Sequence, residues 1–158
     1  MAVLYPNTPL PYQPTHKGTL NQYLTSYKWQ AWFTGSGEPN APFETLDNLF
    51  GRWRSHLANR SGLQVGSIGV FTTDPVPHIH CLLIGTNRHG QTMDDLSSSL
   101  REELEFAWER MAHRPGRIAL IAHPEAVTTY VVNGNTIAKP SRFLSPRGIK
   151  TLKRFKIN

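Results

Sequence analysis

Residues 64–84, QVGSIGVFTTDPVPHIHCLLI, decide the fold. Two apolar runs flank Asp74-Pro75-Val76-Pro77, which is turn chemistry, because proline presets its own φ and aspartate bonds its own backbone. The runs 64–73 and 78–84 are each strand-sized, and so short a connection makes them an antiparallel hairpin. The second strand opens with His78 and His80, one residue apart, in an otherwise apolar stretch. Side chains at i and i+2 of a strand share a face. His78 and His80 therefore project together, about 7 Å apart along the strand, while Ile79, Cys81 and Leu83 project to the other side. Polar rings in such a run are costly unless something satisfies them. They are satisfied by hydrogen bonds, exposed to water, or converged on one divalent cation, since neutral imidazole is a common metal ligand.

Working outward, residues 27–34 (YKWQAWFT) are aromatic-rich and predict a first strand. From Phe43 to about Arg60, Phe43, Leu46, Leu49, Phe50, Trp53 and Leu57 recur at helical spacing, and Gly62 ends that helix. A second helix is expected from about Met93 to Met111, with Thr92 and Asp95 as a capping box and Pro115-Gly116 as its stop. Residues 117–122 predict a fourth strand, and Glu125 to about Val132 a short further helix carrying Tyr130. The order is βαββαβ followed by that extra helix. It predicts an α+β, ferredoxin-like core with a central antiparallel sheet, both helices on one face and the other face free for a partner. Residues 1–16, with Pro6, Pro9, Pro11 and Pro14, read as an extended arm; 17–138 as the folded domain; 139–158 as a basic tail.

The chain has 158 residues and a net charge of +6, and its charge is polarised. From Lys139 onward there are seven basic residues and no acidic ones, which leaves −1 over the first 138 residues. A basic tail suits a polyanion such as a nucleic acid backbone, although it also serves simply as a solvated extension. The one cysteine, Cys81, excludes an internal disulfide and a multi-cysteine zinc site and is expected in the core. The apolar runs are too short to cross a bilayer, and the first residues do not resemble a signal peptide, so a reducing, cytoplasmic setting without membrane contact is expected.

Several motifs share a His-x-His kernel. A histidine-triad hydrolase needs a third histidine where Leu82 stands. A two-histidine phosphoesterase needs a hydroxyl residue two places after each histidine. A cupin needs a glutamate soon after the pair and an all-β chain, whereas Ile84-Gly85 follows here. The proline-preceded His78-Ile79-His80 at the start of an apolar strand instead resembles the second motif of HUH endonucleases, the rolling-circle initiators, relaxases and single-tyrosine transposases. Trp32-Phe33-Thr34 is similar to that family's first motif, and the helix bearing Phe50-Gly51-Arg52-Trp53 to its first helix; the likeness covers most of residues 27–135.

The resemblance implies a βαββαβ sheet, His78 and His80 holding Mn²⁺ or Mg²⁺, and Tyr130 as the nucleophile that nicks single-stranded DNA and keeps a 5′-phosphotyrosine link. It implies a rolling-circle initiator of a plasmid or phage, acting on single-stranded DNA or a hairpin at an origin, with host helicase and polymerase as further partners. A transposase of the same chemistry, and a catalytically decayed repressor-like relative, share the pattern; an RNA-binding module would use the same open sheet. The family also draws a third ligand, usually Glu, from the preceding strand. A four-residue turn at 74–77 places Thr73 opposite His78 and Phe71 opposite His80, leaving Asp74, Glu38 or His16 as candidates. Where the family has lysine three residues after tyrosine, Asn133 stands, so Lys139 is the candidate substitute. Trp32 and Thr34 are expected to contact DNA near the pair, Trp32 by stacking on a base. Arg142, Arg147, Lys150, Lys153 and Arg154 are expected along the backbone. Trp53 is expected to pack in the core.

Overall fold

The computed structural model describes residues 27–73, 75–121, 142–144 and 147–154. Its elements are β1 (Ala31–Ser36), α1 (Phe43–Ser61), β2 (Gln64–Thr72), β3 (His78–Thr86), a 3₁₀ turn (Met93–Asp95), α2 (Ser98–Ala112), β4 (Gly116–Leu120), β5 (Arg142–Phe143) and α3 (Ile149–Arg154). The sheet is antiparallel in the order β4-β1-β3-β2-β5. Its four long strands realise the expected α+β, ferredoxin-like arrangement, and β5 is a two-residue addition to the β2 edge.

The helical stripe read from the sequence is the buried face of α1: Leu46, Phe50, Trp53 and Leu57 are each at most 1 % exposed. The helix ends at Gly62, whose φ of +73° is left-handed and whose N–H bonds the Ala58 carbonyl. α2 contributes Leu104, Ala107, Trp108 and Ala112 to the same core, and the sheet adds Ala31, Phe33, Ile79, Cys81 and Leu83. Both helices therefore cover one face of the sheet, as expected. Aromatic rings fill the space between the layers. Phe33 stacks on Trp53 at 4.0 Å and meets Trp108 edge-on at 5.2 Å. Each indole also has its N–H satisfied, by the Leu104 carbonyl for Trp53 (2.8 Å) and the Ser36 carbonyl for Trp108 (3.0 Å).

Four expectations are corrected. First, β1 starts four residues later than predicted and runs on to Ser36. It continues through Gly35 because Gly35 pairs with Gly116 of β4, and a β-carbon on either would lie within 2.8 Å of the Trp108 ring. Paired glycines make the recess that the indole fills. Second, the Thr92/Asp95 capping box forms, but on the 3₁₀ turn; α2 starts anew at Ser97, whose hydroxyl accepts from Leu100 N–H. Its far end is closed by His113 at φ +60°, ahead of Pro115-Gly116.

Third, the hairpin register is one residue from the expected one: Thr72 faces His78, Val70 faces His80, and Phe71 pairs with Ile79. Thr73 and residues 75–77 are thus outside the ladder. A one-residue slip exchanges faces, so Phe71 packs into the core rather than beside His80. Fourth, the second face of the sheet is not bare. Ile68, Val70, Leu82 and Ile84 on it are at most 2 % exposed. Part of this cover is α3, whose Leu152 lies where a β-carbon on Gly66 would be. The expected helix at 125–132 and the arm at 1–16 lie outside the described residues. No helix among the described residues is long and apolar enough to cross a membrane.

Candidate metal and nucleic-acid site

Alternation along β3 sends Ile79, Cys81 and Leu83 into the helix-covered core, each 0 % exposed, and His78 and His80 to the opposite face. The two imidazoles meet edge to face, with centroids 4.8 Å apart and planes at 87°. His78 is half-buried at the strand's start, between Ser36 of β1 and Thr72 of β2. Its Nδ1 lies 2.7 Å from the Val76 carbonyl oxygen. A carbonyl only accepts, so Nδ1 carries a proton, and in the neutral ring the lone pair is then on Nε2. A backbone carbonyl fixing the tautomer in this way is the usual second partner of a ligating histidine.

His80 is 6 % exposed and lies in register between Thr34 and Val70. Its Nδ1 is 3.4 Å from the Thr34 hydroxyl, and its ring stacks on Trp32 at 6.1 Å with planes 21° apart. Burial, and then the neighbouring charge of His78, push its pKa down to about 4. His80 is therefore neutral through the physiological range, the form that ligates a cation.

That depression has a thermodynamic consequence. The unfolded chain takes a proton on this histidine near pH 6.5, and the folded one only near pH 4. Protonation thus favours unfolding. His80's contribution is complete above pH 6.5 and falls away as the pH drops toward 4, by about 3 kcal/mol in total at 1.36 kcal/mol per unit. In the presence of chelator, chemical denaturation of His80→Gln followed from pH 7.5 to 4.5 is expected to show a shallower loss of stability than the parent.

The pair fits one side of a divalent coordination sphere: two imidazoles from one strand, on one face, one held neutral by burial and the other with its Nδ1 engaged by a carbonyl. Among the described residues no third His, Cys, Asp or Glu joins them, so Glu38 does not complete the set. Asp74 and His16 lie outside the described residues. The β2 neighbours that the true register brings beside the pair are Val70 and Thr72.

Of the other sequence candidates, Trp32 and Thr34 are brought to this site. Tyr130 and Lys139 lie outside the described residues. Arg142 pairs with Phe71 on the helix side of the sheet, 3.5 Å from the Glu44 carboxylate and 3.9 Å over the Phe43 ring. Arg147 donates to the Asp47 carboxylate and carbonyl, both at 3.1 Å, and its side chain is only 19 % exposed. Both arginines fasten the C-terminal segment to α1. Lys150, Lys153 and Arg154 are exposed on α3, which lies on the histidine face.

One neighbour was not read from the sequence. Arg117 pairs directly with Thr34, which pairs with His80, so Arg117, Thr34 and His80 form a row across three strands. Arg117 is exposed, without hydrogen bond or ion pair among the described residues, and β4 is pinned beside it by Ile118 N–H donating to the Glu105 carboxylate at 2.9 Å. Alternation alone marks Arg117 as facing away from Ile118. Only the β1–β4 register puts it beside the histidines. No family model, curated protein or solved structure matches the chain.

Proposed function

We propose that the chain is a metal-dependent, HUH-type nicking and joining enzyme for single-stranded DNA, acting as a rolling-circle replication initiator in the cytoplasm. The observation that carries this reading is the pair of facing imidazoles on one strand, one neutral by burial and one with its tautomer fixed, beside an aromatic ring and a hydroxyl. His78 Nε2 and His80 would hold the cation, Mn²⁺ or Mg²⁺, with Mn²⁺ the better match to imidazole ligands. A cation there would supply Lewis-acid polarisation of the scissile phosphate and offset charge on its non-bridging oxygens.

The chain's own residues do the rest. The phenolic oxygen of Tyr130 attacks phosphorus, the bond to the 3′ oxygen breaks, and the phenol's proton ends on the released 3′-hydroxyl. The 5′-phosphate stays on tyrosine, which conserves the phosphodiester energy, so the reverse step rejoins strands without a nucleotide cofactor. A phenol of ordinary pKa, about 10, is a weak nucleophile near neutrality. Cationic help at the phosphate therefore matters, and Arg117 and Lys139 supply it. Trp32 stacks a base next to the scissile step, and Thr34 bonds the backbone. The DNA partner is an origin strand or hairpin, unwound by a host helicase.

The replacement of lysine by Asn133 favours a second reading, a repressor-like relative that binds the same DNA without cutting it. A labelled single-stranded oligonucleotide pool incubated with Mn²⁺ separates the two. A covalent adduct that survives denaturing electrophoresis and falls to background in Tyr130→Phe is the expected outcome. Binding without adduct, unchanged by that substitution, establishes the binder instead.

A further inference from the structure

A second cationic feature lies at the end of the sheet opposite the histidines, where β2 begins and β3 ends. Arg88, His89 and Arg154, with Gln64, Asn87 and Gln91, line a polar cavity of about 540 Å³, and no acidic side chain among the described residues lines it. Its floor is held rigidly. Asn87 Oδ1 accepts from the His89 and Gln91 N–H groups at 2.9 and 3.1 Å, and Asn87 Nδ2 donates to Gln91 Oε1 at 2.9 Å. Neither Arg88 nor Arg154 is in an ion pair among the described residues; Arg88 Nε donates to His89 Nε2 at 3.5 Å. The C-terminus of α1 opens here and carries about half a negative charge, which two full guanidinium charges outweigh. Two uncompensated arginines around one cavity repel each other unless an anion joins them, and a phosphate accepts from both at once.

The place of this cavity relates it to the first site. Leu152 seats α3 over Gly66, at the same end of the histidine face, and exposes Lys150, Lys153 and Arg154 there. From His78 to Thr86 the strand advances eight residues, about 27 Å. That is roughly eight nucleotides at the 3.4 Å stacked spacing, and fewer if the strand is extended.

We propose that Arg88 and Arg154 bind a backbone phosphate of single-stranded DNA at this far end, up to about eight nucleotides from the phosphate held at the histidine pair. This rests on the nicking reading above and sets the length of strand the protein engages. The two arginines then act as a ruler: short strands reach only the histidine end, and longer ones fill both.

The test compares fluorescein-labelled dT4 and dT20 binding to the full chain and to Arg88→Ala/Arg154→Ala, by anisotropy across a salt series. Both side chains are exposed, so the variant is expected to melt like the parent. An Arg88→Lys/Arg154→Lys variant, which keeps the charges, is expected to bind nearly as the parent does. Losing both contacts to that one phosphate is expected to weaken dT20 about tenfold and flatten its log–log salt slope by about 0.7, the value for one neutralised phosphate of a single strand, while dT4 is unchanged. An unchanged dT20 affinity and slope overturns the proposal, as does tighter binding of rU20 than of dT20. The nicking reading fails separately: a flattened slope with no covalent adduct from any oligonucleotide upholds this cavity and sinks the nickase.

Discussion

Alanine at both His78 and His80 is expected to slow covalent adduct formation at least a hundredfold, with Mn²⁺ saturating for the parent. The size follows from what the pair is asked to supply. Removing a single preorganised electrostatic contact to developing charge costs an enzyme about 10²–10³ in rate, and the double substitution removes both proposed donors to the cation. The fold is expected to survive. His78 is half-buried at a strand's start, and His80 is held neutral by burial, with a ring contact to Trp32 and a 3.4 Å contact to the Thr34 hydroxyl. Melting the variant beside the parent keeps the readings apart. Lost adduct with retained melting places the loss in chemistry, whereas retained adduct removes the histidines from the mechanism.

The largest effect on stability is expected at Trp53. Its indole is 0 % exposed, stacked 4.0 Å from Phe33 and 5.9 Å from Phe50, and its N–H crosses from α1 to the Leu104 carbonyl on α2. Trp53→Ala removes the packing, worth about 3–5 kcal/mol for a buried aromatic, and the indole's hydrogen bond to a carbonyl that the α2 backbone also pairs, worth about 0.5–1.5 more. Against a typical total of about 5–15 kcal/mol, denaturant titration is expected to find the variant largely or wholly unfolded. Trp53→Phe refills most of the volume and is expected to fall between the two. A contrasting position on α2 is Phe106, 60 % exposed, where Ser is expected to change stability by no more than about 0.5 kcal/mol.

Much of this was legible in the chain. The α1 stripe was readable because four large apolar residues recur at helical spacing, and burial follows periodicity. Side-chain alternation across His78-Ile79-His80 needs only strand geometry, so the shared face of the two imidazoles was readable too. The hairpin was readable but its register was not. Turn residues mark where a chain reverses, but whether Thr73 joins the ladder depends on the whole loop; its Pro77 carbonyl accepts from Gly37 N–H at 2.8 Å, far away in sequence. The continuation of β1 to Ser36 was hidden for a similar reason, since it depends on Gly35, Gly116 and Trp108 meeting in space.

The basic tail misled in one respect. Counting charges treats its arginines alike, but Arg142 and Arg147 find Glu44 and Asp47 about a hundred residues earlier and hold β5 and α3 in place. Arg117, in a segment that reads as core strand, faces the histidine row with no partner of its own among the described residues. Local pattern places a side chain on a face; only strand order says what else shares that face.

Direct titration with Mn²⁺, read by the loss of the free ion's paramagnetic resonance signal, tests the central claim most closely. The parent chain is expected to take up one ion at a site that the His78→Ala/His80→Ala chain fills at least a hundredfold more weakly. Equal uptake by the two chains, or none by the parent at millimolar Mn²⁺, contradicts it.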